Sequence, residues 1–182
     1  MHPIVTNFMW VQMKSNKTLN PTALTRGWLA YTLWRNEYTK LIIRPALRTD
    51  LNEVRELLES NSLPSSDCAA HLDNFFVAED QDTVVGVGGY EDCGEVALIR
   101  SFVTRPDHKN MGVAEQIFYS VREKATNLGV KQFYLLTTTA SDYFQRLGFT
   151  VCSRDRVPNR VRETKQFDEL CPSTATVMVL NL

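Results

Sequence analysis

Long apolar runs are missing from this 182-residue chain. None approaches the roughly 20 residues that a membrane-crossing helix needs, so no membrane association is expected. The first residues lack an apolar stretch followed by a small-residue cleavage site, which argues against a secretory leader. Cysteine is sparse: Cys68, Cys93, Cys152 and Cys171 stand far apart, with no CxxC pair and no four-ligand Cys/His pattern. That spacing favours neither a disulfide framework nor a structural zinc, and a reducing cytoplasm is the simplest compartment. No metal is expected. Dense runs of one charge, internal repeats and low-complexity tracts are absent as well. The formal net charge is −1, made of +4 over residues 1–40 and −5 over the remainder. An acidic body of that kind is a poor nucleic-acid binder.

What is present is an ordinary globular composition, 43% hydrophobic and 23% charged, in a length that suits one domain with a sizeable core. Residues 1–40 stand apart from the rest. All three tryptophans, Trp10, Trp28 and Trp34, lie there, and no clear helical or strand period runs through the first 25 residues. A short helix over 28–38 is expected. The stretch Thr18-Leu19-Asn20-Pro21-Thr22-Ala23-Leu24 resembles the translated recombination site of a bacterial integron cassette; the alternative is a native extension that packs its tryptophans on the domain or on a partner. The domain proper is expected to span 41–182.

Within it the elements follow from periodicity and punctuation. Residues 41–46 read as a strand. Thr49 and Asp50 are placed to cap a helix over 51–60, with Leu51, Val54, Leu57 and Leu58 on one face. A second short helix is expected over 66–73. Residues 74–79 and 83–90 read as a hairpin turning at Asp80, Gln81 and Asp82. A strand over 95–103 leads to an amphipathic helix over 115–128, closed by Gly129. A buried strand over 130–138, a short helix over 140–147, a helix over 158–170 and a last strand over 175–180 complete the chain.

The run Pro106-Asp107-His108-Lys109-Asn110-Met111-Gly112-Val113-Ala114 joins a strand to a helix. Such a junction leaves several backbone N–H groups unpaired at the positive end of the helix dipole, a ready place for phosphate. Gly112 has no Cβ to block the approach, and Ala114 adds only a methyl. Lys109-x-x-Gly112-x-Ala114, followed in order by a strand, a short helix and Gly148-Phe149, resembles the GNAT superfamily of N-acetyltransferases. In that family the loop reads Arg/Gln-x-x-Gly-x-Gly/Ala. The resemblance implies an α/β (α+β) fold: a mixed, mostly antiparallel sheet of six to seven strands, splayed between the fourth and fifth, with helices on both faces. It also implies acetyl-CoA as co-substrate.

By the same resemblance, the strand before the loop holds acetyl-CoA through its backbone at Phe102, Val103 and Thr104. The loop residues Lys109, Asn110, Met111, Gly112, Val113 and Ala114 take the pyrophosphate, and Phe144 borders the same site. Lysine in place of arginine still meets phosphate as a point charge. The family's proton donor to the departing thiolate falls on Phe144, leaving its neighbour Tyr143 as the candidate. Adjacent helical residues point about 100° apart, so Tyr143 takes that role only if the helix is rotated. The family's base glutamate falls on Leu98; Glu95 and Glu91 are nearby in sequence, and Glu95 is taken as the candidate base, although neither fits the motif. Arg100 lies mid-strand among apolar residues, where a cation needs a carboxylate, either internal or from a ligand. Thr137 and Thr138 stand at the cleft end of their strand.

Closer likeness comes from Arg100-Ser101, Leu135-Leu136-Thr137-Thr138-Thr139, Val157-Pro158, Arg162-x-Thr164, Phe167 and Leu170-Cys171-Pro172. These resemble bacterial arsenic-resistance N-acetyltransferases, and the Leu-Thr-Thr also resembles the acetyltransferase domain of N-acetylglutamate synthases. The implied acceptor is a small amine, an amino-acid-like compound such as a glutamate analogue, bound at Arg100, Thr137 and Thr138. Rival expectations are another amine (an aminoglycoside or a peptide N-terminus) and a non-catalytic acetyl-CoA sensor. A homodimer is the assembly left open.

Overall fold

The computed structural model describes residues 41–182. The extension, its tryptophans and the helix expected over 28–38 lie outside the described residues. Seven strands form one sheet: β1 Ile42–Pro45, β2 Phe75–Asp80, β3 Thr83–Asp92, β4 Val96–Thr104, β5 Gln132–Thr137, β6 Thr150–Cys152 and β7 Thr176–Asn181. Their spatial order is β1-β2-β3-β4-β5-β7-β6. All neighbours are antiparallel except β4 and β5. A parallel pair needs a crossover, and helix α3, Val113–Asn127, provides it. The other helices are α1 Leu51–Ser60, α2 Cys68–His71, α4 Ser141–Arg146 and α5 Asn159–Arg162.

Alternation along the strands sorts the core into two faces. On one face, Ile117, Phe118 and Val121 of α3 pack with Phe144 and Phe149 over Tyr90, Ala97, Ile99 and Phe133. On the other, Val54 and Leu58 of α1 cover Val77, Val87 and Val103, while Val157, Val161 and Phe167 cover Leu98, Tyr134 and Val177. The second face is therefore two apolar patches with a seam between them. Each of these fully buried large side chains contributes about 1.5–3 kcal/mol of transfer free energy.

The β2–β3 hairpin turns at Gln81 and Asp82, both left-handed with φ of 48° and 60°. Two such residues make the two-residue turn whose twist matches its strands. Helix α1 forms as expected, but its capping differs. Asp50 makes no side-chain cap to α1. Its carboxylate instead accepts the Leu47 N–H at 2.7 Å and a two-pronged bond from Arg44 at 2.6 and 3.0 Å. Arg44 draws the Asp50 carboxyl well below the usual range, and Glu79 holds the same guanidinium at 2.5 Å.

Two expected helices are corrected. The helix expected over 66–73 is only α2 followed by a 3-10 turn, Leu72–Asn74. The helix expected over 158–170 breaks into α5 and a separate π-turn, Gln166–Leu170. Thr164 divides them: its Oγ1 donates to the Val161 carbonyl at 2.7 Å and accepts the Phe167 N–H at 3.2 Å. A side chain that bonds the local backbone both ways competes with the helical ladder. The strand that the family resemblance implies after the 140–147 helix is the three-residue β6, too short to carry a period of its own.

Candidate active site

The sheet opens where the phosphate loop begins. Pairing of β4 with β5 runs from Val96↔Gln132 to Ile99↔Leu135 and stops. Strand β4 continues to Thr104 with its β5-facing edge unpartnered. A bulge produces the divergence. Gly89 opposes Arg100 and Val87 opposes Val103, so Ser101 and Phe102 together face Gly88. Ser101 takes the left-handed φ of 62° that such an insertion demands. Gly88 is what lets the bulge close: a Cβ there would meet the Phe102 ring at 2.8 Å.

Immediately beyond β4, a 3-10 turn over Pro106–His108 leads into α3. Asn110 and Gly112 are left-handed, with φ of 63° and 76°. The first helical bond is Gln116 N–H to the Gly112 carbonyl at 3.0 Å. Among the described residues, the backbone N–H groups of Asn110, Met111, Gly112, Val113, Ala114 and Glu115 have no protein acceptor. Six consecutive free donors at the head of a four-turn helix form an anion cradle. His108 fixes the loop to the hairpin. Its Nε2 lies 3.0 Å from Asp80 Oδ2 and its Nδ1 2.9 Å from Asp107 Oδ1, and these two carboxylates, Asp80 first, raise its pKa above the ordinary 6.5.

A cleft of about 610 Å³ runs from this loop along the open edge of β4. It collects Phe102, Val103, Thr104, Lys109, Asn110, Gly112, Val113, Ala114, Tyr143 and Phe144 from the expected set. Met111 does not line it; its side chain is 56% exposed, which leaves only its N–H for the loop. A second cavity of about 250 Å³ lies beyond the splay and contains Arg100, Thr137 and Thr138. Leu63, Phe102, Thr139, Ala140 and Phe144 are walls of both. The two spaces thus meet at the bulge, one on each side of the parted strands. Sequence reasoning missed the α1–α2 loop, Ser62 to Pro64, and Gln166, which no motif marks; Cys171, part of the Leu170-Cys171-Pro172 likeness, lines the same cavity.

Tyr143 and Phe144 both border the first cleft. The cleft wraps the end of α4 rather than touching one face. Tyr143 Oη is buried without a partner, and burial, helped by the charge of Glu115, pushes its phenol up to about 12. It is a protonated donor at any physiological pH. Thr104 Oγ1, in the same cleft, is also buried and unpartnered.

Glu95 is placed differently from the sequence reading, while Arg100 and Thr137 are engaged within the protein. Glu95 sits before β4, roughly 20 Å along the strand from the bulge at about 3.3 Å per residue. Its side chain is 75% exposed and paired with Lys131 at 2.5 Å, outside both cavities. Arg100 has its internal carboxylates: Asp67 takes both guanidinium nitrogens at 2.6 Å, and Glu91 accepts from Nη1 at 3.2 Å. This group fills the seam between the two apolar patches, with the Arg100 side chain fully buried. Burial alone would raise the Asp67 carboxyl, but the bonds and charge of Arg100 overcome it and hold it low. Asp67, His71 and Glu91 bring three ligand-type atoms within 4.8 Å of one another, and the guanidinium already supplies the cation there. Thr137 Oγ1 accepts the Ala140 N–H at 2.9 Å, and so serves the start of α4.

A family model described as "Acetyltransferase (GNAT) domain" matches residues 71–151. Among curated relatives, the amino-acid acetyltransferase of Neisseria meningitidis is 25% identical over 118 residues, 62% of this chain and 24% of that protein. That of Yersinia enterocolitica is 29% identical over 97 residues, 50% of this chain and 21% of its own length. The chain thus spans about a quarter of the length of the curated relatives it matches. Among solved structures, N-acetylglutamate synthase from Neisseria gonorrhoeae, complexed with coenzyme A and N-acetyl-glutamate, superposes with a TM-score of 0.69 at 18% identity. The match covers 78% of this chain and 35% of that one. A Mycobacterium tuberculosis protein solved in complex with CoA gives 0.67 at 21% identity, covering 78% and 99%. At these identities the structures establish the shared fold. Among the described residues, no helix is long and apolar enough to cross a membrane.

Proposed function

We propose that this domain is an acetyl-CoA-dependent N-acetyltransferase for the amino group of a small amino-acid-like compound. The observation that carries the reading is one cleft that joins six unpaired loop amides to the open edge of β4. The amides and Lys109 suit a pyrophosphate, and the free backbone of Phe102, Val103 and Thr104 suits the amides of a pantetheine arm. When bound, acetyl-CoA supplies an acetyl group already activated as a thioester. Tyr143 walls the cleft, its buried hydroxyl keeps its proton, and it is the donor toward the departing sulfur. Among the described residues, no Asp, Glu or His lines the acceptor-side cavity. The acceptor therefore enters as the free amine, its own deprotonation setting the pH dependence, and Glu95 is set aside as a base.

The same absence of carboxylates disfavours a polycationic aminoglycoside. The curated relatives are named amino-acid acetyltransferases, which supports an amino acid or its analogue. Acetylation removes the amine's charge, so a glutamate analogue with arsenic or phosphorus in its side chain is the detoxification substrate within this reading. Because Arg100 is neutralised internally, the acceptor's polar end would be met by the hydroxyls of Ser101, Thr138 and Thr139. The test is CoA release over a panel of glutamate, phosphinothricin, arsinothricin, an aminoglycoside and a peptide, with a no-amine control for the protein's own thiols. Turnover confined to the amino acids supports the proposal. Turnover with the aminoglycoside or the peptide replaces the acceptor, and saturable CoA binding without turnover of any amine replaces the enzyme with a sensor.

A further inference from the structure

Resting on the acetyl-CoA reading above, we propose that Arg146 is the subsite for the 3′-phosphate of coenzyme A, so that the cleft discriminates CoA from its dephosphorylated form. Coenzyme A carries two kinds of phosphate, a pyrophosphate in the chain and a phosphomonoester on the ribose. The cleft carries three side chains capable of positive charge: His108, Lys109 and Arg146. His108 is consumed by its two carboxylates, Asp80 and Asp107. Lys109 directly precedes the run of free amides, and so belongs with the pyrophosphate.

Arg146 comes from a different element, the last residue of α4, and has no ion-pair partner among the described residues. Its guanidinium lies 5.7 Å from the centroid of the Tyr143 ring, which steadies it at the wall of the cleft. Glu115, the one carboxylate in that cleft, already accepts the Tyr119 hydroxyl at 3.1 Å. A guanidinium presents a planar fork that matches the oxygens of a phosphomonoester, and it stays charged at every working pH. The loop amides recognise phosphate as backbone does, without regard to what else the ligand carries. A lone cation on a separate helix adds the discrimination they lack.

Calorimetric titration of the full chain with CoA and with 3′-dephospho-CoA tests this without knowing the acceptor. The wild type is expected to bind CoA about tenfold more tightly, the low end for bonds to a charged group in a half-open cleft. Arg146→Ala and Arg146→Gln abolish that preference by weakening CoA alone, and Arg146→Lys keeps part of it. Lys109→Ala weakens both ligands by the same factor. A wild type that binds the two ligands equally overturns the subsite, as does an Arg146→Ala variant that keeps the preference or loses both ligands alike. A wild type that binds neither ligand overturns the acetyl-CoA reading itself, and the subsite with it.

Discussion

The two sides of the parted strands are built from different materials. The loop side is backbone: six amide donors, a helix terminus and an open strand edge, with side chains kept small at Gly112 and Ala114. The far side is side chain: hydroxyls of Ser101, Thr138 and Thr139, a Gln166–Cys171 contact at 3.0 Å, and beneath them the Arg100 network. Backbone recognition suits a ligand shared across a whole family, because it survives exchange of most residues. Side-chain recognition suits an acceptor that differs from one relative to the next. Fold alone does not choose between acceptors.

The largest effect should come from breaking the charge under the far side. Arg100→Met leaves Asp67 and Glu91 without the guanidinium, with only His71 3.6 Å from Glu91 beside them, and removing one partner of a buried pair costs about 3–5 kcal/mol. Chemical denaturation of the variant measures this directly. Adding Asp67→Leu should restore part of the loss, because the orphaned carboxylate is what destabilises. A loss below about 1 kcal/mol, the range of exposed pairs, would mean that the network is solvated and does not organise the acceptor side.

Tyr143→Phe separates chemistry from packing on the loop side. Its hydroxyl has no partner, so removing it should leave stability unchanged or slightly raised. Turnover should fall by about 10²-fold, the lower end for a positioned proton donor, with KM for acetyl-CoA unaltered. The wild-type rate should rise with pH along the acceptor's own amine titration and show no alkaline fall until the phenol ionises near 12. A rate limb well below that value that disappears in Tyr143→Phe would assign the residue a lower pKa and a different role.

Gly88→Ala tests whether the bulge makes the cleft. The added methyl would press on Phe102 at 2.8 Å and on Ile117 at 2.9 Å. Overpacking of that kind costs about 1–3 kcal/mol. If Phe102 is displaced, CoA affinity should fall further than stability alone predicts, as calorimetry would show. Equal CoA affinity in the variant would detach the bulge from cofactor binding.

Much of the loop side was legible in the sequence because it depends on order along the chain. Strand, Lys109-x-x-Gly112-x-Ala114 and helix are consecutive, and a local signal suffices. The far side depends on partners brought together from a distance. Asp67 lies 33 residues from Arg100, and nothing near either residue names the other. Arg100 was recognised as a buried cation in need of a carboxylate, but its choice of an internal one is a tertiary fact. Glu95 is near the motif in sequence, but strand geometry places it at the far end of β4, exposed and paired with Lys131. The bulge had a signal, the adjacent glycines Gly88 and Gly89, of which Gly88 faces Ser101 and Phe102 and Gly89 faces Arg100, that alternation alone does not interpret. Thr164 likewise carried the break of the expected 158–170 helix, but a threonine becomes a divider only when its hydroxyl finds backbone on both sides.

The smallest effect should arise where the backbone side does rely on a side chain. His108 ties the loop to Asp80 on the hairpin and to Asp107 beside it, with Arg105 3.7 Å from Asp107 and Lys109 next in the chain. Asp80 and Asp107 raise the His108 pKa above the ordinary 6.5. A raised histidine contributes its stabilisation in full below the unfolded value, and loses it as pH climbs through the folded value. The clamp is therefore strongest in mild acid and relaxes on the alkaline side. CoA affinity should weaken by roughly threefold between about pH 6 and about pH 9, in keeping with a partly exposed pair. His108→Gln retains hydrogen bonding without the charge, so its affinity should be flat across the same range. A pH dependence that persists in His108→Gln would move the titrating group to the ligand's own phosphate and leave the loop held by backbone alone.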